Sequence, residues 1–355
     1  MQNVPVEEVF SLLRNQKSWT FDSIEKLFNP SDYLISPFNS TKQFLAGAYF
    51  LTQQQEAIKG KIMTLLASST CANFVAIQGG AGTGKTLLSY DIAACVRDLG
   101  KKVLLVHCGQ LNDGHAELVK SGWEIIPAKS LKSYALEKYD LIVVDESQRI
   151  YLTQFDEIVK QVSGSKAYCI FSFDKLQTLA EFEKTNNVSG KILSIPGVLE
   201  FKLSEKVRTN AELAAFVKLL FNNKKKSTAG ANNNVEITYF SSIVEVKNHL
   251  LMINSEEWEV LRFTPSQYNK EYHEDYSEGA RSTAHEVIGQ EFEGVVVIVD
   301  QFFSYDEQGD LVYIGKAYYD PVKMLLQNIT RARKRLNVII VNNEELLNRC
   351  LSILQ

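Results

Sequence analysis

Gly79-Gly80-Ala81-Gly82-Thr83-Gly84-Lys85-Thr86 decides the reading of this chain. It fits G-x-x-x-x-G-K-[ST] at every fixed position. Its glycines let the backbone turn so that successive N–H groups point inward at an anion. Lys85 adds a point charge for the β and γ phosphates of a nucleotide, and the Thr86 hydroxyl can hold Mg²⁺. Before the loop, Asn73 to Gln78 is a short apolar run that predicts a buried strand. After it, Leu87 to Leu99 has helical spacing and stops before Gly100. The loop therefore stands between a strand and a helix N-terminus, where backbone donors and the helix dipole both favour phosphate. Gly80, Ala81, Gly82, Thr83, Gly84, Lys85 and Thr86 are the expected nucleotide-binding residues.

Downstream, Val143-Val144-Asp145-Glu146 closes another apolar run with two carboxylates. Asp145 is placed to hold Mg²⁺ together with Thr86, and Glu146 to orient or deprotonate an attacking water. ATP and Mg²⁺ are the expected cofactors. A strand-end acid can also serve as a plain helix cap, as Asp145 before Ser147 would. Its pairing with the phosphate loop favours the catalytic reading.

The chain has 355 residues, enough for about two domains with real cores. Hydrophobic residues make up 45% and charged ones 23%, an ordinary globular balance. The net charge of −4 does not advertise a nucleic-acid binder, although a local basic groove fits inside it. The apolar run Val295–Val299 is far too short to span a bilayer, and no membrane partner is expected. Met1 to Phe10 carries Glu7 and Glu8 and no basic stretch, which argues against a secretion signal. None of the five cysteines forms a C-x-x-C pair. A reducing cytoplasm with free thiols is the simplest expectation.

Residues 1–44 predict a short helical N-terminal segment, broken at Pro30 and Pro37. Short apolar strands then alternate with helices at 73–78, 103–107, 141–144 and 168–171. A second set is expected at 235–240, 259–263, 294–299 and 337–341. That alternation predicts parallel sheets flanked by helices. The polar stretch Asn222 to Asn234 reads as a surface loop. Tyr305 to Tyr319, centred on Gly309, reads as an inserted hairpin.

Further motifs stand in order along 50–345. Leu51-Thr52-Gln53-Gln54-Gln55-Glu56-Ala57-Ile58 matches an adenine-reading Q motif. Asp145-Glu146-Ser147-Gln148-Arg149 matches motif II. Phe173-Asp174-Lys175-Leu176-Gln177 follows G-D-x-x-Q with Phe173 in place of Gly. Leu203 to Arg208 matches motif IV, His285 to Phe292 motif V, and Asn328-Ile329-Thr330-Arg331-Ala332-Arg333 motif VI. In these motifs the chain resembles the superfamily 1 DNA/RNA helicases, most closely the small group that includes the helicase-like half of Schlafen proteins. The resemblance implies an α/β fold of two RecA-like domains with mostly parallel sheets, spanning 45–205 and 206–355. It implies ATP hydrolysis in the cleft between them. Gln55 would read adenine, Gln177 would sense the γ-phosphate, and Glu291 beside Gly289 would contact the ribose. Arg208 and Arg331 would act as arginine fingers. The catalytic set it implies is Lys85, Glu146, Gln177, Arg208 and Arg331. Val207 stands where the family often has an adenine-stacking Tyr, and Ile288 where it often has Gln or Lys.

Single-stranded DNA or RNA is the partner this resemblance implies. Val106 to Gln110 occupies the motif Ia position, where relatives touch backbone phosphate, and Lys224–Lys226 is a second basic candidate. No aromatic-plus-basic stripe marks a stacking platform in the sequence. Neither the span from Thr86 to Asp145 nor that from Arg208 to His285 leaves room for a strand-separating insertion, so a minimal motor is expected. The same compactness admits a second reading, an ATPase switch acting on a protein partner such as an effector nuclease. A small-molecule kinase would not need motif VI. A GTPase is disfavoured because Asn269-Lys270-Glu271-Tyr272 lacks the final Asp of N-K-x-D.

Overall fold

A computed structural model of the chain describes residues 35–68, 73–80, 82–174, 186–204, 211–226, 234–277, 282–288 and 290–354. Its first half is a six-stranded parallel sheet in the order β3-β2-β4-β5-β1-β6. The strands are β1 (Phe74–Gly79), β2 (Val103–His107), β3 (Ile125–Pro127), β4 (Leu141–Asp145), β5 (Tyr168–Phe173) and β6 (Leu199–Leu203). Runs such as Leu141-Ile142-Val143-Val144 are fully buried, as in a strand covered on both faces. Alternate residues feed opposite cores. Val75, Ile77, Leu105 and Val143 pack with α2 (Gln53–Ala67) and α3 (Lys85–Asp98), while Phe74, Ala76, Leu104 and Ile142 pack with α5 (Leu152–Ser163) and α6 (Val188–Leu193). The short helices α1 (Thr41–Leu45) and α4 (Asp113–Lys120) pack on each other beside the first of these layers.

The second half is a five-stranded parallel sheet in the order β7-β13-β10-β8-β9. These strands are β7 (Val235–Phe240), β8 (Glu259–Arg262), β9 (Ser282–Thr283), β10 (Phe292–Val299) and β13 (Ala332–Val341). Helices α7 (Ala211–Leu220), α9 (Pro321–Ile329) and α10 (Glu344–Leu354) cover one face, and α8 (Ile243–Met252) covers the other. The expected hairpin is present as β11 (Phe303–Tyr305) and β12 (Leu311–Tyr313), with Gly309 at φ +83° in its turn.

The α/β architecture with parallel sheets is the one predicted. β3, β6 and β9 escape a reading by periodicity because they are short and contain Pro127, Glu200 and Lys202, or only two residues. β13 starts at Ala332 rather than Asn337, and its first turns carry Arg333, Lys334 and Arg335. The helical reading of the N-terminus falls mostly on 1–34, and the domain boundary on 205–210; both lie outside the described residues.

What positions the site is the order β4-β5-β1. β5 lies between the strand that delivers the phosphate loop and the strand that delivers Asp145. Ile77 is paired with Ser172, and Val144 with Phe171. Three strand ends therefore open side by side at the carboxyl edge of the sheet, where parallel α/β folds bind ligands.

Candidate functional site

The loop after β1 turns through left-handed backbone at Gly82 (φ +73°) and Gly84 (φ +77°). Gly79 has no room for a side chain, since a Cβ there would sit 2.5 Å from Thr83 Oγ1. Thr83 Oγ1 donates to Gly80 O at 2.9 Å, and Lys85 Nζ donates to the same carbonyl at 3.1 Å. The ammonium thus lies folded across the loop, where a phosphate would draw it in. Gln55 braces the loop from behind. Its Oε1 accepts from Thr52 N at 2.8 Å in a capping box, and its Nε2 donates to Thr83 O at 3.1 Å. Both ends of this amide are therefore engaged with backbone, and the side chain is buried.

Thr86 begins α3 and faces Asp145 at the end of β4, with Oγ1 3.2 Å from Oδ2. Ser172 Oγ of β5 donates to Asp145 Oδ1. His107 Nδ1 of β2 lies 3.8 Å from Oδ2. Burial pushes the Asp145 carboxyl up, but the His107 ring, Ser172 and the Lys85 charge more than offset this and hold it below the usual carboxylate range. A carboxylate against a hydroxyl is an oxygen pair suited to a hard cation. Among the described residues no three His, Cys, Asp or Glu side chains gather to hold a metal by themselves. An ion here would draw its remaining ligands from phosphate and water, as Mg²⁺ does in nucleotide sites.

Glu146 follows in left-handed backbone, φ +56°, unusual for a residue with a side chain. The turn swings its carboxylate back toward the cleft. Gln148 Nε2 donates to Glu146 Oε2 at 2.7 Å, and Arg149 Nε lies 3.8 Å from the same oxygen. Gln148 Oε1 accepts from Asp174 N at 3.2 Å and so ties the ends of β4 and β5 together.

From the second half, Arg331 projects off the turn between α9 and β13. It is 5% exposed, with Nε donating to Gln327 O at 3.2 Å and one Nη to Gln290 O at 3.1 Å. Burial pulls its guanidinium below the ordinary value, while Glu146 and Glu291 act in the opposite sense. The charge of Glu146 in the first half thus reaches Arg331 in the second. Asn39 Nδ2 of the first half also reaches the second, donating to Glu291 O at 2.6 Å. Ala81, Gln177, Arg208 and Gly289 lie outside the described residues.

A second cavity, about 790 Å³, opens between the halves, lined by Cys108–Leu111, Lys129, Arg149, Tyr151, His285 and Tyr319 among others. His285 and Tyr319 rings are 4.7 Å apart, Tyr319 and Tyr318 4.8 Å, and Tyr318 and Tyr268 5.3 Å. Tyr268 (71%), Tyr151 (57%) and Tyr318 (56%) are exposed. Glu271 fixes the Tyr318-Tyr319 pair by accepting from Tyr318 N and from His273 Nε2. This aromatic row has no periodicity to betray it, because its members come from three separate segments. The adjacent tyrosines at 318 and 319 are its only trace in the sequence. Of the motif Ia stretch, His107 is buried against Phe38 and His115, and Cys108–Gln110 line the cavity. Lys224–Lys226 is an exposed turn docked on the hairpin, with Lys224 Nζ donating to Glu307 O.

A family model described as Schlafen group 3, DNA/RNA helicase domain, matches residues 72–288. No curated protein matches the chain. The crystal structure of Pif1 helicase from Candida albicans is similar at a TM-score of 0.45 and 13% identity, covering 82% of this chain and 95% of that one. A crystal structure of a DNA replication initiation factor is similar at a TM-score of 0.32 and 14% identity, covering 48% and 51%.

Proposed function

The chain belongs to the Schlafen group 3 DNA/RNA helicase-domain family, and from that premise we propose that it is an ATP-dependent motor of superfamily 1 type coupled to single-stranded DNA or RNA. One observation carries the reading. Thr86 of the phosphate loop meets Asp145, and the charge of Glu146 next to it acts on Arg331 of the other half.

Backbone N–H groups of the loop and Lys85 bind the phosphate chain and hold it in line. Thr86 and Asp145 hold Mg²⁺, which when bound neutralises charge on the phosphate oxygens. Glu146 orients the attacking water and accepts its proton. Arg331 neutralises charge that builds up on the transferred phosphoryl group, worth about 10³-fold or more in rate for such fingers. Arg208 and Gln177 are the further residues that the resemblance in motifs IV and III would assign to the γ-phosphate. Loss of the γ-phosphate removes what Arg331 was drawn to, so hydrolysis biases the two halves toward opening.

The aromatic row of Tyr268, Tyr318, Tyr319 and His285, with Lys129 and Arg149, supports single strands as the partner. Unpaired bases stack on such rings whatever their identity, and cations take the backbone. The test is steady-state ATPase activity with and without oligo(dT) or oligo(U), over a salt series. Stimulation that weakens with salt is expected, because phosphate contacts release counterions. Hydrolysis that no single strand stimulates, even at low salt, would favour the protein-partner switch instead.

A further inference from the structure

Arg149 sits at a junction of the two sites. It comes from the short turn after β4, immediately beyond Glu146 and Gln148. Its Nε lies 3.8 Å from Glu146 Oε2, the oxygen that also accepts from Gln148 Nε2. The Arg149 side chain is only 4% exposed, yet it forms part of the wall of the inter-lobe cavity beside Tyr151, His285 and Tyr319. One guanidinium therefore meets the water-orienting carboxylate on one side and the proposed single-strand cavity on the other.

This has a chemical consequence. A carboxylate oxygen that already accepts from an amide and faces a guanidinium is a poor acceptor for a water proton. The Arg149–Glu146 pair is also a loose one, with 3.8 Å between the atoms instead of a bidentate fork. A phosphodiester offers the planar guanidinium two non-bridging oxygens, a two-point partner that the Arg fork matches. We propose that Arg149 is a positioning residue that restrains Glu146 while the cavity is empty, and that a backbone phosphate entering the cavity draws Arg149 away and frees Glu146 to orient water. The phosphate shifts the side chain because it interacts with one of its two positions and not the other.

The surroundings fit this role. Burial and the Arg149 charge together press His285 down to about 4, so at neutral pH the ring is uncharged and leaves the cavity's charge to Arg149 and Lys129. Gln148 stays anchored to Asp174 N and keeps the turn in place while its neighbour moves.

The inference rests on the single-strand reading, and the experiment separates the two. ATP hydrolysis by the full chain is measured for wild type, Arg149→Gln, Arg149→Lys, Glu146→Gln and the double variant Arg149→Gln/Glu146→Gln, each alone and with oligo(dT) or oligo(U). Arg149→Gln should hydrolyse ATP several-fold faster than wild type without nucleic acid, at unchanged KM, and should lose most of its stimulation. Arg149→Lys keeps the charge but not the fork, so its basal rate should fall between those of wild type and Arg149→Gln, and its stimulation should be weaker than that of wild type. The gain needs the Glu146 carboxylate, so the double variant should hydrolyse ATP no faster than Glu146→Gln alone; a double variant faster than Glu146→Gln overturns the proposal. A basal rate in Arg149→Gln that is unchanged or reduced, in a protein with wild-type melting behaviour, overturns it and leaves the single-strand reading standing. A wild type that neither oligomer stimulates overturns that reading and this inference with it.

Discussion

Arg331 is buried off the α9–β13 turn, held by two backbone carbonyls and acted on by the charge of Glu146 in the opposite half. A group so placed acts on charge that develops during the reaction more than on bound nucleotide. Arg331→Ala should therefore lower kcat by about 10³-fold while ATP affinity changes little, as finger removals do. Equal kcat in variant and wild type would put Arg331 outside the reaction. Lys85, Thr86, Asp145 and Glu146 were legible in the sequence because their chemistry is local: a tight turn, a helix start and a strand end each announce themselves in a few residues. Ser172 was not, since it meets Asp145 only after folding and belongs to no motif. His107 and Arg149 stood inside motifs Ia and II, but those motifs did not say that His107 lies against Asp145 or that Arg149 lies against Glu146.

At the scale of elements, the capping box of α2 and the phosphate loop share one side chain. Gln55 closes the box on Thr52 and then holds the Thr83 carbonyl. Gln55→Ala should raise the KM for ATP and leave kcat largely intact, at a stability cost of about 1 kcal/mol for the lost cap and hydrogen bonds. Nucleotide titration and urea unfolding check both halves. An unchanged KM would mean the loop keeps its shape without this brace. Alternation of apolar runs and helical spacings predicted the main strands, because parallel strands buried on both faces are continuous apolar runs. It did not predict that β5 would lie between β1 and β4. Strand order depends on which faces pack together, which no local pattern records.

For the whole molecule, buried histidines link folding to pH. Burial against Phe38 and the neighbouring His107 press His115 down to about 3 from an ordinary value of 6.5. A histidine depressed in this way contributes stability that is complete above pH 6.5 and is lost as pH falls toward its folded value. Urea midpoints should therefore drop between pH 6.5 and 5, with this residue supplying up to about 1.4 kcal/mol per pH unit. His115→Gln should show a shallower slope over that window, and an identical slope would exclude His115 as a source. The two-sheet plan was legible in the motif order, whereas the cavity, with the tyrosine row that runs out from Tyr319 in its wall, was not, since it exists only where distant segments of both halves meet. The account as a whole turns on Glu146 handling water for a nucleotide held by the loop beside it. The direct measurement is the nucleotide retained by Glu146→Gln after mixing with ATP and Mg²⁺, set beside Lys85→Ala. Glu146→Gln should bind ATP as wild type does and hold it unhydrolysed, while Lys85→Ala binds it poorly. Turnover of ATP to ADP at the wild-type rate by Glu146→Gln would contradict the account.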